Sequence, residues 1–244
     1  LQQFQQLLKD DYWIFSPTDN PFGDCAHYFV VLLIRRHPAI DVDQSSFRVH
    51  NYPNSTMGRQ LVWIDLTIHC DKLTSNRISS TITVRLFTSH LESCRESSKK
   101  RKDQLSYAWS RMIQFGSTSN SVNNNRPGPR AAIFCGDLNL RDTEVQELGG
   151  LPAGIEDAWQ VTGSRPELRN TWDPQRNTNA SRLGFGGRGP HGRSFTFRYD
   201  RMYVHGSCLR PVDFGLRGLE RVPGTRCFPS DHWGILGRFQ PGSA

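Results

Sequence analysis

The stretch that most constrains the fold is residues 131–142, where a short apolar run ends abruptly in charged and amide side chains. The run AAIFC at 131–135 predicts a strand buried on both faces, and Gly136 lets the backbone turn as the strand leaves the sheet. Side chains two apart in extended chain share a face, so Asp137, Asn139 and Arg141 are expected to point the same way. That set of groups suits phosphate chemistry. An ordinary Asp/Asn turn after a strand is the alternative.

Size and charge limit the function classes. The chain has 244 residues and a net charge of +7, which favours a polyanionic partner such as nucleic acid but does not determine the fold. No apolar run approaches membrane-spanning length and no secretory segment opens the chain, so we expect no membrane partner. The six cysteines are scattered without a CxxC pair, which favours reduced thiols and gives no support for a zinc site.

Strand-like segments outnumber helical ones. Residues 28–34 are continuously apolar, which is typical of a central strand buried on both faces. A short amphipathic helix is predicted to end near Asp10 or Asp11. Further strands are predicted at 12–15, 61–68, 81–87, 195–204, 209–214 and 233–239, with a polar turn at 70–80.

One long helix is predicted from about residue 97. Leu105, Ala108, Trp109, Met112 and Ile113 recur at helical spacing, so this helix should pack one stripe on a sheet. The basic cluster KKRK at 99–102 is interpreted as a solvated face, with a nuclear-import signal or a phosphate contact as the alternatives.

Two polar segments are predicted to be surface insertions rather than domain boundaries. Residues 116–130 are rich in Ser, Asn and Pro, and residues 177–193 are rich in Gly and Arg. The second could be disordered or could form a basic lip over a substrate groove. The whole chain, 1–244, is therefore expected to form a single α/β or α+β domain built around packed sheets.

Three other segments place polar side chains at strand ends, as residues 131–142 do. They are 88–93 (TSHLES), 198–201 (RYDR) and 228–233 (FPSDHW). Each is weak alone, but the four segments together supply two histidines, three acids and an amide without cysteine. Such a set suits a hard cation and acid/base work on a phosphoester. A Ser/His/Asp triad is disfavoured because the Gly-x-Ser-x-Gly elbow is absent.

The motifs GDLN at 136–139 and SDH at 230–232 resemble signatures of the endonuclease/exonuclease/phosphatase superfamily, whose fold is DNase I-like. Residues 88–93, 136–142, 149–152, 171–173, 198–201 and 228–234 together resemble the 5′-tyrosyl-DNA phosphodiesterases of that superfamily. The resemblance implies a four-layer αββα sandwich of two packed mixed sheets flanked by helices. It also implies Mg²⁺-dependent hydrolysis, with Mn²⁺ as the alternative ion, of the bond between a topoisomerase tyrosine and a DNA 5′-phosphate.

The same resemblance implies a role for each site residue. Asp137, helped by Asn139, would orient or deprotonate the attacking water, and His232, held by Asp200, would stabilise charge on the phosphoryl oxygens. Asp231 would lie at the metal site. His90 and Ser93 would contact the scissile phosphate from the other side, and the groove for the 5′ end of the strand would be lined by Arg141, Trp172, Tyr199 and Tyr28. Trp172, Tyr199 and Tyr28 could instead be core residues.

The superfamily also has an Asn and a metal-binding Glu on early strands, and both would lie upstream of Leu1. Glu92 belongs to the His90 motif and does not replace that Glu. We therefore expect an N-terminally truncated chain that lacks its first strands. The implied partner is single-stranded or 5′-end DNA carrying a tyrosyl adduct. The protein is expected to be a monomer and to act in the nucleus or, alternatively, in the cytoplasm.

Other functions remain open at this point. The alternatives are a superfamily relative acting as an AP endonuclease, a deadenylase or a phosphoinositide phosphatase, and a catalytically dead DNA-binding module that lacks the metal-binding Glu.

Overall fold

A six-stranded mixed sheet organises the computed structural model, which describes residues 6–17, 29–73, 81–117, 128–180 and 195–242. The strand order in this sheet is β3-β4-β5-β6-β8-β7. The described strands are β1 (Tyr12–Phe15), β2 (Leu32–Arg35), β3 (Ile40–Asn51), β4 (Gln60–His69), β5 (Thr81–Ser89), β6 (Arg130–Asp137), β7 (Ile155–Asp157), β8 (Asp200–His205), β9 (Leu209–Arg217) and β10 (Gly234–Pro241). The described helices are α1 (Ser98–Ser117), α2 (Asp142–Glu147), α3 (Ala158–Val161) and α4 (Thr178–Ala180), with 3₁₀ turns at Cys70–Lys72 and Pro166–Leu168.

The pairing of β5 with β6 is parallel, whereas the other pairs of described strands are antiparallel. Phe87 lies opposite Phe134 in this pair, and Thr88 lies opposite Cys135. Parallel strands need a long crossover, which here includes α1. The carboxyl ends of β5 and β6 therefore meet at the same edge of the sheet.

One face of the sheet packs against α1. The predicted helical stripe is confirmed, because Leu105, Ala108, Trp109 and Met112 are buried in the cluster that also contains Phe134. The sheet supplies the other side of this cluster through side chains of β4, β5, β6 and β8: Leu61, Trp63, Phe87, Ala132 and Tyr203.

The other face is covered by two separate antiparallel pairs, β1–β2 and β9–β10. Leu32 and Ile34 pack on Val62 and Ile64 at one side of the sheet. At the other side of the sheet, Met202 and Val204 pack against side chains of β9 and β10: Leu209, Phe214, Ile235 and Phe239. The α/β sandwich predicted from the sequence is confirmed, although its second layer is made of these two pairs in the described part of the chain.

Two strand predictions are corrected. The buried central strand predicted at 28–34 is the short strand Leu32–Arg35, whose side chains alternate between buried and exposed and which pairs with β1. The apolar run therefore belongs to a two-stranded antiparallel pair with one buried face and not to a central strand. The strand predicted at 195–204 is regular from Asp200 to His205, and Phe197 forms an isolated bridge with Trp172. Tyr28 and most residues of the two predicted insertions lie outside the described residues.

The basic cluster at the start of α1 is not a uniformly solvated face. Arg101 is fully buried, and its Nη2 donates to Glu144 Oε1 of α2 at 2.5 Å. Its Nη1 donates to the carbonyl oxygens of Glu92 and Cys94 at 2.7 and 2.9 Å. The interpretation as a solvated charge run is therefore wrong for Arg101, which joins α1, α2 and the chain after β5.

Breaking this buried pair should be costly. We expect Arg101→Met to lower the free energy of unfolding by about 3–5 kcal/mol, because the Glu144 carboxylate would stay buried without its charge partner. The double variant Arg101→Met/Glu144→Leu should recover most of that loss. Urea unfolding followed by circular dichroism measures both values.

The matched control is Lys102→Met. Lys102 follows Arg101 on α1, and the change removes its half-exposed ion pair with Glu147. It should change stability by less than about 1 kcal/mol. Equal losses for Arg101→Met and Lys102→Met would contradict the structural role of Arg101.

Candidate active site

The site lies where β5 and β6 end side by side. Gly136 is required there, because a Cβ at this position would lie 2.1 Å from the carbonyl oxygen of Ser89. The chain that follows β5 is held to the end of β6 by a hydrogen bond from Leu91 N to Asp137 O at 3.0 Å. His90 and Asp137 are thereby brought together, with 3.2 Å between His90 Nε2 and Asp137 Oδ2.

Asn139 links the two strand ends. Its backbone N donates to Asp137 Oδ1 at 3.0 Å, which fixes the carboxylate. Its side-chain amide donates to Leu91 O at 3.1 Å and to Ser93 Oγ at 3.2 Å. Asn139 adopts a φ of +50°, a left-handed conformation that Asn tolerates better than most residues. The predicted set of His90, Ser93, Asp137 and Asn139 is therefore one connected group.

His232 and Asp200 complete the site from two further segments. His232 Nδ1 lies 2.7 Å from Asp200 Oδ2, and Asp200 pairs opposite Asp137 in the β6–β8 register. Thr171 ties the segments together, since its Oγ1 accepts from Asp200 N at 3.1 Å and its carbonyl accepts from Trp233 N at 2.7 Å. Segments more than 90 positions apart in the sequence thus share one site.

Charge and burial shift the pKa values of the titratable groups of the site in different directions. Burial and the Asp200 charge raise the pKa of Asp137 to about 6. For His232, burial opposes protonation, but the hydrogen bond and charge of Asp200 outweigh it and raise the pKa to about 9. Burial, with the Arg59 and His232 charges, lowers the pKa of His90 to about 3. Near neutral pH the site therefore holds a carboxylate, an imidazolium and a neutral imidazole.

Arg59 is a site residue that the sequence did not reveal. It is buried just before β4, and its Nη2 donates to Ser93 Oγ at 3.0 Å. It lines a small cavity together with His90. Arg59 follows a glycine and is part of no recognisable sequence motif. Only the pairing of β4 with β5 brings it to the site.

Glu92 faces away from this group. Its carboxylate accepts hydrogen bonds from Ser55 Oγ at 2.7 Å and from Thr56 N and Oγ1 at 2.8 and 2.5 Å. These bonds hold the loop that carries Arg59. Glu92 is therefore engaged in a turn, which agrees with excluding it as a replacement for a metal-binding Glu.

An aromatic ladder runs from the surface to His232. Tyr199 stacks on His232 with 6.0 Å between ring centroids and on Phe197 with 4.9 Å, and Phe197 stacks on Phe195 with 6.3 Å. The guanidinium of Arg141 lies 5.8 Å from the Phe197 ring centre. Phe195 and Phe197 were missed in the sequence, although their alternation with Tyr199 was the signal.

Trp172 supports the ladder from inside. It is buried, with ring centroids 5.9 Å from Phe197 and 6.1 Å from Tyr199. Tyr199 is partly exposed in the ladder, whereas Trp172 is a buried residue packed behind it, and a groove role for either stays a prediction.

Three side chains could hold a metal ion. The candidate ligand atoms of Asp137, Asp200 and His232 all lie within 4.8 Å of one another. Two carboxylates fit the way proteins hold Mg²⁺, which keeps several waters and takes one or two carboxylates. Asp231 is outside this cluster, but its charge contributes to the raised pKa of His232.

The fold is DNase I-like, as in solved structures of the endonuclease/exonuclease/phosphatase family. A family member from Bacteroides thetaiotaomicron, 13% identical, superposes with a TM-score of 0.59 over 98% of this chain and 79% of that chain. In sequence, the chain is similar to tyrosyl-DNA phosphodiesterase 2. The Gallus gallus protein of that name is 35% identical over 221 residues, which are 89% of this chain and 50% of that protein.

A solved structure supports the same relationship. Danio rerio tyrosyl-DNA phosphodiesterase 2, crystallised in complex with a single-strand DNA product, is 26% identical and matches with a TM-score of 0.74. The match covers 98% of this chain and 81% of that chain. The chain spans about half the length of the curated relatives it matches. No family model matches the chain. Among the described residues, no helix combines the length and apolar character needed to cross a membrane.

The pairing of His232 with Asp200 can be tested by titration. In metal-free protein, we expect NMR to give a His232 pKa of about 9, and Asp200→Asn to lower it, because the hydrogen bond and the charge of Asp200 favour the imidazolium. Because the folded-state pKa lies above the unfolded value, the stability that His232 contributes is present below pH 6.5 and is lost as the pH rises through about 9.

Asp41→Asn is the matched control, since Asp41 pairs with the imidazole of His69 at 2.6 Å on another part of the sheet. It should leave His232 unchanged. An unaltered His232 titration in Asp200→Asn would show that the two side chains are not coupled in solution.

Proposed function

We propose that this chain is a Mg²⁺-dependent phosphodiesterase that hydrolyses 5′-tyrosyl-DNA bonds and so releases topoisomerase adducts during DNA repair. The observation that carries the proposal is the convergence of Asp137, the Asp200–His232 pair and His90 at one sheet edge, directly beside the aromatic ladder. The name of the curated relatives supplies the substrate class. Repair of chromosomal DNA would require the protein in the nucleus, with the cytoplasm as the alternative location.

In the proposed mechanism, Asp137 orients and deprotonates the attacking water. Its raised pKa of about 6 keeps it ionised at neutral pH yet basic enough to accept a proton, which is the balance that general-base catalysis requires. The backbone N of Asn139 fixes the orientation of this carboxylate. A water placed by Asp137 would attack the phosphorus from the β6 side.

His232 stabilises the charge that develops on the phosphoryl oxygens. As an imidazolium it donates from Nε2, because Nδ1 is engaged with Asp200. Neutral His90 and Ser93, with the cationic Arg59 beside them, contact the phosphate from the opposite side. A Mg²⁺ ion bound beside them, with Asp231 as its predicted ligand, would supply further positive charge to the phosphoryl group and leave Asp137 available as the base.

The aromatic ladder receives the 5′ end of the DNA strand. Aromatic faces stack on bases without sequence preference, and each such contact is typically worth about 1–3 kcal/mol. Phe195 is exposed at the outer end of the ladder, and Arg141 can pair with a backbone phosphate beside it. Single-stranded DNA bound along the ladder would deliver its 5′-phosphate toward His232.

A non-catalytic DNA-binding module is the second candidate. It is favoured by the described metal cluster, which contains two carboxylates and no glutamate. Activity measurements separate the two candidates directly.

The test is release of tyrosine from a 5′-tyrosyl oligonucleotide with Mg²⁺. We expect release by the purified protein, and losses of about 10²–10⁴-fold in kcat for Asp137→Asn and for His232→Ala, because each removes a proton-transfer or charge-stabilising group. Asp213→Asn, a surface change on β9, is the control and should retain activity. DNA binding without release would favour the non-catalytic module, and full activity in both site variants would contradict the assigned roles.

Substrate choice needs a separate experiment. Phe197→Ala should raise KM for the tyrosyl oligonucleotide about 5- to 150-fold with a smaller change in kcat, because it removes a stacking face. Abasic DNA, an oligo(A) RNA tail and a soluble phosphoinositide should be poorer substrates. Preference for any of these three would overturn the tyrosyl-DNA assignment.

A further inference from the structure

The face of the sheet that α1 covers changes from apolar to charged with distance from the active site. Trp63 and Phe87 pack beneath α1 near the carboxyl end of β5. Two residues farther from the site on the same face, the strands carry Asp65 and Arg85, which lie opposite each other in the β4–β5 register. Arg130 opens β6 at this charged end.

A cavity of about 280 Å³ opens at this charged end of the face. We call it the arginine cavity. Its described lining residues are Arg85, Arg111, Gln114, Phe115 and Arg130. Three guanidinium groups, an amide and an aromatic ring thus surround it, and no carboxylate of the described residues lines it.

The guanidinium groups are held in place. Arg85 makes a two-point bond with Asp65 at 2.5 and 2.7 Å and lies 4.2 Å from the Phe115 ring centre. Arg130 lies 5.3 Å from the same ring, and Arg111 Nη1 donates to Gln114 Oε1 at 2.5 Å. Groups that are already ordered lose little entropy when they bind, so this cavity is preorganised.

Guanidinium groups dominate the described lining of the cavity. Asp65 is the charge partner of Arg85, and the Nε of Arg111 is buried with no hydrogen-bond acceptor among the described residues. Buried donors are normally paired, so an acceptor is needed here.

We propose that the arginine cavity binds a phosphate group. Planar guanidinium groups bind phosphate oxygens through two parallel hydrogen bonds, which a cluster of fixed arginines can supply from several sides. The phosphate can belong to a DNA backbone or be a free phosphate ion, because the recognition chemistry is the same.

This site is separate from the active site and does not depend on the proposed hydrolysis. Arg130 and Asp137 are the first and last residues of β6, which places them about 23 Å apart along the strand. Their side chains also point to opposite faces, because the two residues are seven positions apart, an odd number, along the strand.

The first test compares thermal unfolding in sodium phosphate with that in sodium chloride of equal ionic strength. His232→Ala serves as the background, so that phosphate at the active site contributes less. Phosphate should raise the midpoint, since a ligand that binds the folded state stabilises it. The double variant Arg111→Gln/Arg130→Gln should lose that increase, whereas Arg210→Gln, an exposed arginine on β9, should keep it.

NMR of the unmutated chain provides a readout that does not depend on the variants folding. Inorganic phosphate should shift the side-chain amide signal of Gln114 in a saturable way. A midpoint increase that persists in the double variant, or an unmoved Gln114 signal at saturating phosphate, would overturn the proposal.

A second arm identifies the source of the phosphate. If the cavity receives a DNA backbone, the double variant should reduce the salt dependence of binding to a single strand of about 20 nucleotides by a log–log slope of about 1.4, or about 0.7 for each lost contact. If the ligand is a free phosphate, the slope stays the same and only the thermal response is lost. Retention of both responses would show that the arginines bind no phosphate.

Discussion

The close parallel contact between β5 and β6 is the constraint on which the site depends. Gly136 lets the backbone of β6 approach the carbonyl of Ser89 so closely that any side chain would clash. That approach brings His90 against Asp137 and lets Asn139 reach Leu91 and Ser93. Because the two strands run in the same direction, both polar sequences emerge at one edge, where a single phosphate could contact them.

A network of arginines and carboxylates holds the next layer behind that edge. Asp142, at the start of α2, pairs with Arg169, Arg198 and Arg201, and these contacts lower its pKa to about 2 against the opposing effect of burial. Arg198 and Arg201 flank Tyr199 and Asp200 in the sequence. The network therefore joins the segment after Asp137 to the segment that presents the aromatic ladder and the partner of His232.

Much of the fold followed from local pattern. The strands β1, β4, β5, β6, β9 and β10 and the helix α1 were predicted because strand-like apolar runs or helical spacing of apolar residues are visible in a single segment. The position and burial of the strand predicted at 28–34 were wrong, since an apolar run looks the same in a central strand and in a short strand pair with one buried face. Arg101 was misjudged for a similar reason: its buried partner Glu144 is 43 residues away.

The sequence by itself determined the chemistry available to this protein, because Asp137, Asn139, His90, Asp200 and His232 could be selected by their positions at strand ends and by their resemblance to known motifs. Tertiary structure alone decided the distances among them, the raised pKa values of Asp137 and His232, and the presence of Arg59 and the Phe195–Phe197 ladder. Burial and charge proximity set those properties, and both arise from segments far apart in the chain that meet only when the sheet forms.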